Sequence, residues 1–199
     1  MKIAIIKYNG GNIFSVQETL KRLGAETIIS DQYEDICSAD RIIFPGVGQA
    51  KTALEYLRSK KLDLLIPSLQ QPVLGICLGL QLMCKHSEEG DVAGLGIFDT
   101  EVKHFVADSP DTKVPHMGWN SLDFHQESKW KDSFDQSYLY FVHSYYAEKC
   151  KDTFATCHYT KDFSAMLQKD NFWAMQFHPE KSGKIGSQML NLFLNSSDD

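Results

Sequence analysis

The stretch "VLGICLGLQLM", Val73 to Met83, carries an apolar run directly into a helix-like run through Gly75-Ile76-Cys77-Leu78-Gly79. A strand that becomes a helix within so few residues must pass backbone close to backbone. Glycines two places before and two places after Cys77 allow that approach without Cβ clashes. The junction therefore asks for a strand ending at the edge of a sheet and a helix packed back across it. The thiol between them is either a small packed hydrophobe or a nucleophile held out on a tight turn.

The first half of the chain supplies the sheet. Ile3–Ile6, Thr27–Ile29 and Ile42–Phe44 read as short buried strands, with Val73–Ile76 as the fourth. Between them, Ile13, Val16, Leu20 and Leu23 recur at helical spacing up to Gly24. Ala53, Leu54 and Leu57 mark a second helix, an apolar stretch from about Leu62 to Leu69 a third, and Leu78 to about His86 a fourth. Asn9-Gly10-Gly11-Asn12 and Pro45-Gly46-Val47-Gly48 read as turns after strands. Strands alternating with helices predict a parallel sheet covered on both faces.

After Glu89 the pattern changes. "TEVKHFV", "NSLDF", "YLYFVHSYY", "TFATCHY", "SAMLQ" and "FWAMQF" read as closely spaced strands, with Lys169-Asp170-Asn171 the turn of a hairpin. Residues 125–137, rich in Ser, Asp, Lys and Gln, read as a surface connection, and a last helix runs from about Lys184 to Leu194. The expected fold is one mixed α/β domain over residues 1–199, flavodoxin-like, in which antiparallel strands extend or flank the parallel sheet.

Composition narrows the class. With 199 residues, 43% hydrophobic, the chain can bury roughly 70% of its unfolded surface in one domain. A net charge of −6 without a basic stripe speaks against nucleic acid. No apolar run approaches the ~20 residues of a membrane span, and "MKIAIIK" is too short for a secretory leader. The expectation is a cytoplasmic protein. Cys37, Cys77, Cys84, Cys150 and Cys157 form no C-x-x-C pair, so no zinc site of the usual spacing is expected.

Strand, G-x-C-x-G turn and helix form the thiol counterpart of the G-x-S-x-G nucleophile elbow. The turn presents Cys77 at the carboxyl end of the sheet, where open α/β folds place ligands. The helix beginning at Leu78 directs its positive end at the sulfur, which favours thiolate. The Leu78 N–H is one half of an oxyanion hole. The Val47 N–H, in the glycine-loosened "PGVG" loop on the same sheet edge, can supply the other.

Among seven histidines, His86, His104 and His125 lie in polar surroundings and read as surface residues, whereas His116 and His143 sit among apolar or aromatic neighbours. His178 differs because it ends a strand in "QFHPEKSG". Pro179 biases it to extended backbone. Residues two apart in an extended segment point the same way, so Glu180 can accept from one ring nitrogen and leave the other for the Cys77 proton. Cys77, His178 and Glu180 form a nucleophile, base and orienter.

In order along the chain, "YNGGN", "PGVG", "GICLGLQLM", "SEEG", "VPHMGWN", "YFVHSYY" and "QFHPEKSG" resemble the triad (class I) glutamine amidotransferases. More narrowly they resemble the glutaminase subunits of imidazole glycerol phosphate synthase. The resemblance implies a Cys77–His178–Glu180 triad, oxyanion donors from Val47 and Leu78, and glutamine held by Gly48, Gln81, Glu89, Ser144 and Tyr145. Glu89 would meet the substrate ammonium, and Gln81 with backbone N–H groups its carboxylate. It also implies a partner, a (β/α)₈-barrel cyclase that receives the ammonia in histidine biosynthesis. Asn12, Met117, Trp119, Tyr140 and Lys181 fall where that barrel is contacted. No cofactor and no metal are implied. Lys7 departs from the small or acidic residue expected there.

Other readings keep part of this. The triad could serve another glutamine-dependent synthase or a stand-alone thiol hydrolase, against which "PHMGWN" and "YNGGN" speak. A binding module that retains only the fold is opposed by the intact Cys77, His178 and Glu180.

Overall fold

A computed structural model describes residues 1–8, 13–110 and 112–195. The first half runs β1 (Lys2–Ile6), α1 (Ile13–Arg22), β2 (Glu26–Ser30), α2 (Tyr33–Cys37), β3 (Arg41–Gly46), α3 (Ala50–Ser59), α4 (Leu62–Leu65), β4 (Val73–Cys77) and α5 (Leu78–Met83). The order β2-β1-β3-β4 is parallel throughout. Every residue of β4 is buried, as expected of a central strand under helices on both faces. The anticipated strands and first helix are all present, with boundaries one or two residues wider or narrower. The expected turn at residues 9–12 lies outside the described residues.

The second half comprises β5 (Cys84–Ser87), β6 (Val92–Ala93), β7 (Phe98–His104), β8 (His116–Ser121), β9 (Asp123–Phe124), α6 (Lys129–Phe134), β10 (Tyr138–His143), β11 (Tyr145–Ala147), β12 (Thr153–His158), β13 (Asp162–Lys169), β14 (Phe172–Met175) and α7 (Gly183–Asn195). Strand β14 joins β4 in parallel, and β13, β12 and β9 continue antiparallel, making eight strands among the described residues. A β8–β10 ribbon and a four-stranded sheet, β11-β7-β5-β6, flank it. The mixed α/β architecture is thus as expected, and the hairpin turns where anticipated, with Asp170 at φ 52°.

Three local readings are corrected. The helix after Cys77 stops at Met83 rather than near His86, because Cys84–Ser87 pairs with both β7 and β6. The stretch from Leu62 breaks after Leu65 into a 3₁₀ turn over Ile66–Ser68, where Pro67 removes a helical donor. Residues 125–137 are not merely a connection. They carry α6, capped by the Ser128 side chain, and its Trp130 and Phe134 are buried. Trp130 stacks on Trp173 of β14 with ring centroids 5.2 Å apart. Two apolar cores result, one on either face of the main sheet.

Candidate active site

Cys77 is the last residue of β4 and takes φ 54°, ψ −106°, backbone that residues with a Cβ adopt only when their surroundings impose it. The imposition is visible in the glycines. A Cβ on Gly79 would lie 1.8 Å from the Phe44 carbonyl oxygen, and one on Gly46 would lie 1.5 Å from the Tyr8 hydroxyl. Helix α5 therefore rests directly on β3, and the chain can turn only at Cys77. The Leu78 N–H opens α5 and has no partner from its own helix.

Neighbouring β14 runs parallel to β4, with Ala174 opposite Gly75 and Met175 opposite Ile76. Its continuation brings Gln176 and His178 to the sulfur. The Gln176 Nε2 lies 3.7 Å from the Cys77 Sγ. His178, 1% exposed, has extended backbone as its proline predicts, and its N–H donates to the Tyr140 carbonyl at 2.9 Å. Its Nδ1 meets the Glu180 Oε1 at 2.8 Å, both side chains buried. Glu180 arrives there through a 3₁₀ turn over Pro179–Lys181 rather than by strand alternation, which corrects the expected route while keeping the pairing.

The His178 Nε2 is buried and has no protein partner other than the neighbouring Cys77 thiol. Burial alone pushes this imidazole down, but Cys77 and Glu180 beside it outweigh burial and hold its pKa up at about 10. Both neighbours thus favour the protonated ring, which lies between two groups that carry negative charge when ionised. By contrast, burial pushes the thiols of Cys84 and Cys157 up, the latter to about 12, and those two are neutral packed cysteines.

A cleft of about 260 Å³ opens on Cys77, just under the 300–1,000 Å³ of sites for drug-sized ligands. Its walls contain Val47, Gly48, Leu78, Gln81, Glu89, Ser144 and Tyr145, every oxyanion and substrate residue expected from the sequence. Gly48 has φ +118°, a conformation natural only to glycine. One Glu89 oxygen accepts the Ala50 N–H at 2.8 Å, capping α3; burial pushes its carboxyl up against that bond.

Gln81 departs from its expected part. Its Nε2 donates to the Tyr145 carbonyl at 2.9 Å and to the Gln176 Oε1 at 3.1 Å. Both amide protons are committed, so it cannot also donate to a carboxylate; only its oxygen is left to offer a ligand.

In the cleft wall, His143 Nδ1 contacts the Tyr145 carbonyl at 2.7 Å, and His143 Nε2 contacts His116 Nδ1 at 3.0 Å. Burial pushes both rings down, to about 3 for His143 and about 4 for His116. They are neutral. A carbonyl can only accept, so His143 carries its proton on Nδ1 and His116 donates from Nδ1 to His143 Nε2.

The β8–β10 ribbon separates two faces. His116 and His143 lie inward, while Met117 and Trp119 are 63% and 56% exposed. Tyr140 lies opposite Trp119, with ring centroids 6.1 Å apart, and the Lys181 Nζ sits 5.9 Å over the Tyr140 ring. Core packing of Met117 and Trp119 is thereby ruled out. Asn12 lies outside the described residues. Lys7 is exposed, and its N–H donates to the Ser30 carbonyl at 2.9 Å.

Two residues at this site were missed from the sequence. Gln176 was signalled as the one polar residue in an apolar strand, two places before His178. Tyr8, buried below Gly46 with its hydroxyl unpartnered, carried no signal beyond belonging to a turn motif.

A strained cysteine at a strand–helix elbow thus lies beside a buried histidine–glutamate pair and opens on an amino-acid-sized cleft. The chain belongs to the class-I glutamine amidotransferase family, whose model matches residues 5–196. It is 52% identical to the imidazole glycerol phosphate synthase subunit HisH of Bacteroides thetaiotaomicron, covering 98% of this chain and all of that one. It is equally similar, at 52% over 98% of this chain and 99% of the relative, to the subunit of the same name in Bacteroides fragilis strain YCH46. Among solved structures, PurLQS from Thermotoga maritima superposes with a TM-score of 0.69 at 17% identity, covering 98% of this chain and 97% of that one, a likeness of fold.

Proposed function

We propose that this chain is the glutaminase subunit of an imidazole glycerol phosphate synthase. It hydrolyses glutamine to glutamate and passes the ammonia to a (β/α)₈-barrel cyclase with which it forms a cytoplasmic heterodimer. The observation that carries the chemistry is the placement of Cys77, at positive φ, beside the buried His178–Glu180 pair.

The thiolate of Cys77 attacks the side-chain amide carbon of glutamine. The carbonyl π electrons move to oxygen, and the N–H groups of Val47 and Leu78 stabilise the oxyanion. Collapse breaks the C–N bond, and ammonia leaves with the proton that the His178 imidazolium supplies. Neutral His178 then takes a proton from water, which adds to the γ-glutamyl thioester and releases glutamate and thiolate. Glu180 holds the ring in one orientation and stabilises its cationic form. The Glu89 carboxylate and the Gln81 carbonyl oxygen suit the substrate ammonium. The backbone at Gly48, Ser144 and Tyr145 suits its carboxylate.

Ammonia released into water would be protonated and lost as a nucleophile, so a dry path to the acceptor is required. The exposed Met117–Trp119–Tyr140–Lys181 surface suits the partner, with aromatic anchors beside a cation. It is joined to the site through the bond from the His178 N–H to Tyr140. Lyase chemistry belongs to the assembled synthase.

The test is glutamate release with and without the barrel subunit and its ligand, and product formation from glutamine or from added ammonia. Release rises sharply with partner and ligand. Cys77→Ala abolishes glutamine-dependent product and leaves ammonia-dependent product. Equal release in both states, or loss of both activities in the variant, contradicts the reading.

A further inference from the structure

Gln176 is fully buried and Gln81 is 5% exposed, and their side chains are linked in series. The direction of each amide follows from one backbone carbonyl. The Tyr145 oxygen can only accept, so the Gln81 atom 2.9 Å from it is the nitrogen; reversal would set oxygen against oxygen. The second Gln81 proton points at Gln176, 3.1 Å away, so the Gln176 atom there is the oxygen. The Gln176 nitrogen is left facing the Cys77 sulfur at 3.7 Å, within reach of an N–H···S bond. The His143 Nδ1–H occupies the other side of the same Tyr145 carbonyl, which fixes it in place.

We propose that Gln176 is a further catalytic residue, whose side-chain N–H, oriented by Gln81 through the Tyr145 carbonyl, donates to the Cys77 sulfur and stabilises it as thiolate. This rests on Cys77 being the nucleophile. A hydrogen bond strengthens when its acceptor is ionised, so the donor favours thiolate over thiol. It also holds the sulfur in one rotamer, directed into the cleft. Gln81 is a positioning residue here, acting through Gln176. Of the other ionisable groups, Glu89, His143 and Tyr145 line the same cleft, and two bear on the sulfur itself: His178, from the same strand extension, and Tyr8, whose buried hydroxyl is pushed well up, first by burial and then by Cys77. Both remain in the variants below.

The experiment measures iodoacetamide alkylation of Cys77 by peptide mass spectrometry across pH, with exposed Cys37 as internal reference. It compares the intact chain with Gln176→Leu, Gln81→Leu and the double variant, each checked for cooperative unfolding. Removing a hydrogen bond to a charged group lowers Cys77 alkylation at pH 7 by about tenfold or more in Gln176→Leu, and moves the half-maximal pH upward. Gln81→Leu, which keeps the donor but not its tether, loses less, and the double variant loses no more than Gln176→Leu alone. Should Gln176→Leu fail to fold, Gln176→Asn, one methylene too short to reach, shifts the profile the same way. An unchanged profile in a folded Gln176 variant, or additive losses, overturns the proposal. Cys77 reacting no faster than Cys37 in the unmodified chain would instead overturn the nucleophile assignment itself.

Discussion

His178 and Glu180 share a 2.8 Å hydrogen bond in which both side chains are sealed from solvent, and the other edge of the imidazole is left to Cys77. The buried carboxylate holds the ring in one orientation and, with Cys77, holds it protonated. Glu180→Gln keeps the shape and removes the charge. Glutamine turnover should fall by roughly 100-fold or more, in line with an orienting carboxylate. Its glutaminase pH profile should show His178 losing its proton at lower pH than in the parent. A Glu180→Gln enzyme with parental kcat and pH profile would remove the carboxylate from the mechanism.

The close crossing of β3, β4 and α5 leaves no room for a Cβ at two glycines. In Gly79→Ala the new Cβ meets the Phe44 carbonyl oxygen at 1.8 Å, a backbone atom that cannot swing aside. In Gly46→Ala it meets the Tyr8 hydroxyl at 1.5 Å and the Tyr8 Cζ at 2.7 Å. Each variant should lose about 1–3 kcal/mol of stability in urea unfolding. Gly46→Ala combined with Tyr8→Leu should recover part of that loss, since the ring is what the methyl strikes. No recovery would place the strain elsewhere.

The paired neutral histidines set the acid limit of the fold. Unfolded, His116 and His143 take up protons near pH 6.5; folded, they resist until about pH 4 and about pH 3 because burial opposes their charge. The unfolded state binds more protons in that window. Stability from this pair is therefore complete above about pH 6.5 and declines as pH falls, by up to about 1.4 kcal/mol per pH unit for each ring. His178 has the opposite sign. Its raised pKa contributes fully below pH 6.5 and is lost only as pH climbs toward 10. From pH 7 to 6 His178 offsets one of the two rings, so urea midpoints should fall gently there and more steeply from pH 6 to 5, and over that lower step about half as steeply in His116→Gln. A flat response between pH 6.5 and 5 would refute the buried neutral pair.

The exposed ribbon face carries the partner prediction. Trp119 is more than half exposed and packs edge-on against Tyr140, whose ring lies under the Lys181 ammonium. Trp119→Ala should leave unfolding of the isolated chain nearly unchanged and weaken binding to a barrel cyclase by more than about 2 kcal/mol, as anchoring tryptophans do. Unaltered affinity by calorimetry would move the interface away from this face.

What could be read from the sequence was what residue type and spacing encode locally. Gly75, Cys77 and Gly79 announce the elbow because only a tight crossing needs that spacing, and His178-Pro179-Glu180 announces its partner because proline restricts the backbone. Strand β5 was missed because Cys84–Ser87 is held by pairing with Phe98 and beyond, not by its own composition. Helix α6 was missed because Trp130 is anchored by Trp173, far along the chain. Gln81 was given the wrong contact for a related reason. Its partner is the carbonyl of Tyr145, a backbone group that no side-chain pattern announces.

The most direct measurement is a mass spectrum of the Cys77 peptide from enzyme quenched in acid during steady-state turnover of glutamine with the cyclase subunit present. A γ-glutamyl thioester on Cys77 is the predicted result. Glutamate formed at the parental rate with the acyl group on another residue, or by Cys77→Ala enzyme, would contradict it.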